Sequence, residues 1–170
     1  MLENFIKILL FKRLKPLFFT TYFAIIILYP YQTYSSIPEM QQTDYFAAIR
    51  ADEVNVRAGP SPNYMIKFTY KAKSLPVRVI SEYDNWNEIE DFDKQTGWVN
   101  KTLLTKKRTI MINSRNSKIA MYSSADENSQ ILFYLENKVI AKFIECKDKW
   151  CKIAIKGKKG WVLKSEIYGV

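Results

Sequence analysis

The sequence predicts an all-β protein in which two small barrels or sandwiches follow an N-terminal export segment. Three observations predict it. From residue 46 onward, short runs rich in Val, Ile, Tyr, Phe and Trp alternate with polar turns at close intervals, the spacing of small all-β domains. No stretch of that region keeps a helical period long enough to build on. The region also repeats itself at an interval of roughly 63 residues. Trp86 and Trp150 each follow a short polar turn (SEYDNWNEIED against ECKDKWCKIAI), and Gly97-Trp98-Val99 returns as Gly160-Trp161-Val162.

The composition supports folding and excludes much chemistry. The chain has 170 residues, 48% hydrophobic and 25% charged, with only 5 Gly and 6 Pro, so it is neither disordered nor collagen-like. It contains no histidine, which removes the commonest general base, every Ser-His or Cys-His pairing and the usual nitrogen ligand for zinc. Two cysteines cannot supply a four-ligand zinc site, and no glycine-rich phosphate loop is present. The densest acidic group, Glu88, Glu90, Asp91 and Asp93, alternates across the two faces of a strand and runs into a turn, as a solvated tip does. No catalytic residue, metal site or cofactor is assigned, and the chain reads as a non-enzyme.

Residues 1–35 read as a signal peptide. Lys7, Lys12, Arg13 and Lys15 form a basic leader, and Leu17 to Leu28 runs without a charge. About a dozen apolar residues is short for a membrane span, which needs about 20. Pro30 breaks the segment, and Thr33-Tyr34-Ser35 places small side chains near a cleavage point at Ser35 or Ser36. The alternative is an uncut anchor lengthened by Leu9, Leu10 and Phe11; contact with the membrane is then confined to this segment. Either way the positive-inside rule places the rest outside the cytoplasm, in the periplasm or cell envelope.

The formal charge is +9, and without the four cations and one glutamate of residues 1–35 it is +6. Anionic phospholipid, acidic wall polymer and nucleic acid all attract such a chain by the same screened Coulomb force. The compartment argues against nucleic acid. Lys106-Lys107-Arg108 is the only basic run, and it falls where a linker is expected.

Strands are expected at 46–50, 54–58, 65–70, 75–83, 86–91 and 97–100, and again at 110–113, 118–122, 130–134, 138–146, 150–156 and 160–163. Asp84-Asn85 and Lys147-Asp148-Lys149 are the hairpin tips, since Asn and Asp tolerate left-handed backbone. The units, 46–104 and 109–170, are separated by so short a connection that a fixed mutual orientation is expected.

The string from Ala51 to Tyr64, with Asn55-Val56-Arg57-Ala58-Gly59-Pro60-Ser61 at its centre, followed by the hairpin Trp86 and by Gly97-Trp98-Val99, resembles the bacterial Src-homology-3-like (SH3b) domain. The second unit resembles it more distantly: Gly160-Trp161-Val162 and Trp150 are kept, but Met121-Tyr122-Ser123-Ser124 stands where Arg57-Ala58-Gly59-Pro60 stands in the first. A leader followed by two such units is similar to exported tandem proteins of proteobacteria. The resemblance implies two tandem small SH3-like β-barrels. It also implies recognition of cell-wall peptidoglycan or an extended peptide, or, alternatively, docking to an envelope protein with no wall ligand.

In such a fold Gly59 and Pro60 form a strand-to-loop corner. Gly97 and Gly160 allow close backbone approach, and Trp98 and Trp161 cover the core. Family members commonly carry glycine in the turn before the fourth strand, but here Lys71-Ala72-Lys73-Ser74 and Glu136-Asn137 stand there. Asn137 is expected to take the positive φ, leaving the first-unit turn free to differ in shape. Tyr64, Tyr83 and Trp86, with Tyr122, Tyr134 and Trp150 in the second unit, occupy loop or hairpin positions where a ring can line a groove. Cys146 and Cys151 flank the second tip; in an oxidising compartment that spacing suits a disulfide better than a metal clip or a catalytic thiol. Their first-unit equivalents are Glu82 and Asn87.

Overall fold

The computed structural model describes residues 38–170; the expected signal peptide, 1–35, lies outside them. Fourteen strands follow in order, with no α-helix among the described residues. The first set is β1 (Gln41–Ile49), β2 (Val54–Arg57), β3 (Ile66–Tyr70), β4 (Pro76–Tyr83), β5 (Trp86–Glu90), β6 (Thr96–Asn100) and β7 (Leu104–Thr105). The second is β8 (Thr109–Ile112), β9 (Lys118–Tyr122), β10 (Ile131–Glu136), β11 (Ile140–Lys147), β12 (Trp150–Ile155), β13 (Lys158–Leu163) and β14 (Ile167–Tyr168). One-turn 3₁₀ segments, Lys101–Leu103 and Lys164–Glu166, precede β7 and β14. All twelve expected strands are present. β7 and β14, two residues each, were not expected, and β1 begins five residues earlier than its apolar run suggests.

The sheets order as β3-β2-β6-β5-β4-β1-β7 and β10-β9-β13-β12-β11-β8-β14, the second being the first with every label advanced by seven. The repeat in sequence is therefore a repeat in topology. Both long hairpins carry a register irregularity at the same place, between Val79 and Ser81 and between Phe143 and Glu145. An extra residue there bends the strand and increases its twist, which suits a sheet curling over a small core.

Asp84 and Asp148 take φ of 46° and 51° at the hairpin tips, as their residue type allows. The turns before the fourth strands depart from expectation. The left-handed residues are Ser74 (φ 65°) and Lys138 (φ 66°), whose N–H groups donate to Ile49 O and Ile112 O, each at 2.8 Å. The two turns thus share one shape, and Asn137 is not the left-handed residue. Its side-chain amide instead ties a neighbouring loop, accepting from Ser114 N (2.8 Å) and donating to Ser114 O (2.9 Å) and Asn116 O (2.8 Å).

Glycine is required where the sixth strand of each unit crosses the second. A Cβ on Gly97 would lie 2.5 Å from Val56 Cγ1 and 2.9 Å from Arg57 O; on Gly160 it would lie 2.7 Å from Tyr122 O and 2.8 Å from Met121 Cγ. These crossings pair Arg57 with Trp98 and Tyr122 with Trp161. Tyr122, not Met121, is therefore the counterpart of Arg57, one residue away from the sequence correspondence. The buried Met121 matches the buried Val56.

Each sheet encloses its own apolar cluster, one around Val56, Val77, Val79, Ile89 and Val99 and the other around Ile112, Met121, Ile153 and Val162. Two residues of the second sheet pack into the first cluster, the partly buried Ile140 of β11 and the fully buried Met111. In β8, Ile110 and Ile112 face the second core, while Met111 between them belongs to the first, because alternate residues of a strand point to opposite sides. All three are at most 1% exposed. Burying Met111 contributes about 1.5–3 kcal/mol to holding the barrels together. Thr109 Oγ1 donates to Ser74 O (2.7 Å) and Tyr168 Oη to Glu90 O (2.8 Å), and the Tyr168 ring meets Phe46 edge to face at 5.2 Å. The barrels form one packed body, as the short connection predicts.

Candidate binding cleft

Trp86 is the first residue after the Asp84-Asn85 tip, placed there by the pairing of Tyr83 with Trp86 across the hairpin. It is half-buried and lines an open cleft of about 460 Å³ with Asn55 and Arg57 of β2, Pro62, the tip residues Asp84 and Asn85, and Asn100. The Asn55–Pro60 string thus does more than turn a corner, since two of its residues form a cleft wall. Asn55 Oδ1 accepts from Thr69 Oγ1 at 2.8 Å. Asn100 Oδ1 accepts from Thr102 N (3.1 Å) and Thr102 Oγ1 (2.7 Å), which orients its amide. Arg57 Nη1 donates to Tyr64 O at 2.7 Å, fastening the loop after β2 to its base. Gly59 is buried beneath the Tyr64 ring, which comes within 2.6 Å of where a Cβ would sit; any side chain there displaces the ring.

The cleft offers one aromatic face, three amide side chains that donate and accept, and charges of both signs from Arg57, Glu53 and Asp84. That lining matches ligands built of amide groups. Glu53, Pro62, Asp84, Asn85 and Asn100 were not assigned as site residues from sequence. Asp84 and Asn85 could have been found from adjacency to Trp86, and Asn100 from its place just after Gly97-Trp98-Val99.

The second unit does not reproduce the cleft. Trp150 is 5% exposed, and the Tyr122 ring closes over it edge to face at 5.4 Å and 83°, with Lys149 Nζ 5.9 Å from its centroid. The expected groove ring is a core ring here, because an aromatic stands where the first unit has Arg57. The other candidates are dispersed. Tyr64 (49% exposed) flanks the first cleft, Tyr134 (63% exposed) lies on β10, and Tyr83 is half-buried at the hairpin. Trp98 is 6% exposed and packs as core, whereas Trp161 keeps a half-exposed ring with Lys152 Nζ 5.4 Å above it. Pro60 is half-buried at the corner.

Cys146 and Cys151 face each other across β11 and β12, Cα atoms 4.0 Å apart, and form a disulfide. Their counterparts Glu82 and Asn87 hold the equivalent place with polar contacts. Tyr45 Oη donates to Glu82 Oε1 (2.8 Å), Asn87 Nδ2 donates to Tyr45 Oη (3.1 Å), and Lys101 Nζ pairs with Glu82 Oε2 at 2.6 Å. Lys101, then the Tyr45 hydroxyl, holds the Glu82 carboxyl below its usual range. Burial, then Glu82, pushes the Tyr45 phenol up to about 12. The acidic group is tied down in part: Asp93 stays exposed in the turn, as a solvated tip does, while Asp91 and Glu90 are held. Asp91 is 3% exposed and accepts from Tyr70 Oη (2.7 Å), Asp93 N (2.9 Å) and Gln95 N (2.9 Å). Glu90 pairs with Lys94 at 2.9 Å.

The sequence profile of the bacterial SH3 domain matches twice, over residues 50–106 and 116–169. The chain belongs to the bacterial SH3 domain family. Each match spans six of the seven strands of one sheet, leaving out β1 and β8, so the tandem is two bacterial SH3 domains. The Bacillus subtilis protein YrvJ, named for N-acetylmuramoyl-L-alanine amidase, is 27% identical over 141 residues. That match covers 78% of this chain but 26% of YrvJ, so the chain spans about a quarter of its relative's length. Among solved structures, NlpC2 from Trichomonas vaginalis is 13% identical with a TM-score of 0.35, covering 76% of this chain and 49% of that one. An NlpC/P60 family protein from Bacillus cereus is 11% identical with a TM-score of 0.33, covering 73% and 56%.

Proposed function

We propose that this pair of bacterial SH3 domains is a non-catalytic, exported binding module of the periplasm or cell envelope, recognising peptidoglycan or an extended peptide through the first-domain cleft. The observation that carries the reading is Trp86, a ring half-open to solvent in a concave site walled by Asn55, Asn85 and Asn100. A ring face with amides around it fits the repeated amide bonds of a peptide stem, and such anchored aromatics carry much of a binding energy. The family membership and the relative named for a muramoyl-alanine amidase support a wall ligand. The second domain acts as a rigid support, its Trp150 closed.

A second reading, docking to an envelope protein, is favoured by the exposed run Tyr64-Met65-Ile66, at 49%, 73% and 45%, since adjacent exposed apolar side chains mark interaction sites. Sedimentation with purified sacculi separates the two. Under the first reading the protein pellets, Trp86→Ala weakens pelleting by about thirtyfold, and Met65→Ser leaves it unchanged. Absence of pelleting at moderate salt, or pelleting that a folded Trp86→Ala protein retains, overturns it in favour of a protein partner.

A further inference from the structure

The chain folds its only basic run against cations that lie far from it in sequence. A cleft of about 780 Å³ at the junction of the two domains is lined by Arg50, Lys73, Lys107, Arg108 and Lys142. A second cleft of about 640 Å³ adds Lys101 and Lys106 and meets the first at Arg50, Thr105 and Arg108, which line both. Seven cations therefore border two adjoining clefts. Its single lining carboxylate, Glu82, is already paired with Lys101, and Lys73 pairs loosely with Asp52 at 3.7 Å. Among the described residues, Arg50, Lys106, Lys107, Arg108 and Lys142 have no carboxylate at ion-pairing distance.

So many like charges without counter-charges repel one another, and an anionic ligand relieves that repulsion. The site is also prearranged. Met111 and the Thr109–Ser74 bond fix the two domains. Arg108 is held over the Phe143 ring at 4.1 Å and donates to Gly169 O at 3.3 Å, so little of its freedom remains to be lost on binding.

We propose that the domain junction binds an extended anionic chain carrying closely spaced phosphate groups, at a site separate from the Trp86 cleft. Guanidinium forks such as those of Arg50 and Arg108 match phosphate oxygens bidentately, and the lysines act as point charges along the chain. Seven cations over two joined clefts call for a ligand of high linear charge density, which a phosphate chain has and a peptide with occasional carboxylates lacks. The concavity argues against a bilayer. The large exposed apolar side chains among the described residues, such as Met65, Ile131, Tyr134 and Ile144, lie outside the lining of either cleft, so none there is placed to insert among lipid tails.

The test is calorimetric titration of the whole protein with inorganic polyphosphate. It compares the variant Arg50→Gln, Lys107→Gln, Lys142→Gln with a charge-matched control, Lys156→Gln, Lys158→Gln, Lys159→Gln, both checked by thermal melting. The expected result is a loss of at least about tenfold in the junction variant, with the control and Trp86→Ala within about twofold of the parent. Equal losses in the junction and control variants overturn the proposal, since binding is then diffuse charge. Equal affinity for polyglutamate overturns the assignment to phosphate. Binding to phosphatidylglycerol vesicles but not to soluble polyphosphate overturns it in favour of a membrane surface.

Discussion

Trp86 and Trp150 hold the same place in two sheets of identical strand order, each following a two-residue tip whose first residue is a left-handed Asp, yet Trp86 lines an open cleft and Trp150 is buried. The difference lies two strands away, on β2 and β9. Arg57 donates to Tyr64 O and lines the cleft with Trp86, while its counterpart Tyr122 packs edge-on against Trp150. Replacing Tyr122→Arg is expected to uncover Trp150, raising the accessibility of tryptophan fluorescence to acrylamide in a Trp86→Phe background. The lost ring pair costs about 0.5–1.5 kcal/mol beyond its burial. Unchanged quenching would show that Trp150 is closed by something other than Tyr122.

Met111 makes the two domains one folding unit. It is a residue of the second sheet buried in the first core, so Met111→Ala leaves a cavity in the first domain and loosens the junction. We expect a loss of about 2–5 kcal/mol and a single urea transition in the parent protein by both tryptophan fluorescence and far-UV dichroism. Two separated transitions in the parent would mean that the domains unfold independently.

The disulfide and the Glu82–Asn87 pair occupy equivalent positions, so the two hairpins are stapled differently. Closing the short loop between Cys146 and Cys151 stabilises by about 2 kcal/mol in the chain-entropy account. Cys146→Ala with Cys151→Ala is expected to lower stability by about that amount, and reductant is expected to shift the urea midpoint of the parent but not of the variant. Because Cys151 is fully buried, alanine is preferred to serine, whose hydroxyl would need a partner there.

The strand ladder was legible because its signals are local: period-two burial, tip residues and the two Gly-Trp-Val strings each act within a few residues. β7 and β14 were not, because two residues carry no pattern and their pairing is decided by β1 and β8. The left-handed backbone at Ser74 and Lys138 follows from hydrogen bonds to Ile49 and Ile112, which override residue preference. The closure of Trp150 depends on which side chain faces it from β9, and a one-residue error in matching Met121 to Arg57 hid that neighbour. The role of Met111 was invisible for a similar reason: Ile110-Met111-Ile112 reads as buried on both faces, but not as buried in two different cores. The junction cations illustrate the same limit, since Arg50, Lys73 and Lys142 join Lys106-Lys107-Arg108 only through tertiary packing.

Stability should fall on the alkaline side because several phenols are protected in the folded state. Burial, followed by Glu82, raises Tyr45 to about 12; burial and Asp91 raise Tyr70, and burial and Glu90 raise Tyr168. In the unfolded chain these groups ionise near pH 10, so above that pH the unfolded state holds fewer protons and is favoured. Their contribution is complete below about pH 10; above it all three lose stability together, and the loss from Tyr45 is the first to run its course, near pH 12. Urea midpoints measured from pH 8 to 11.5 are expected to be level at first and then to decline. Tyr45→Phe and Tyr70→Phe should start lower, having lost the bonds to Glu82 and Asp91, but decline less steeply. A decline as steep in both variants as in the parent would show that the alkaline loss does not come from Tyr45 or Tyr70.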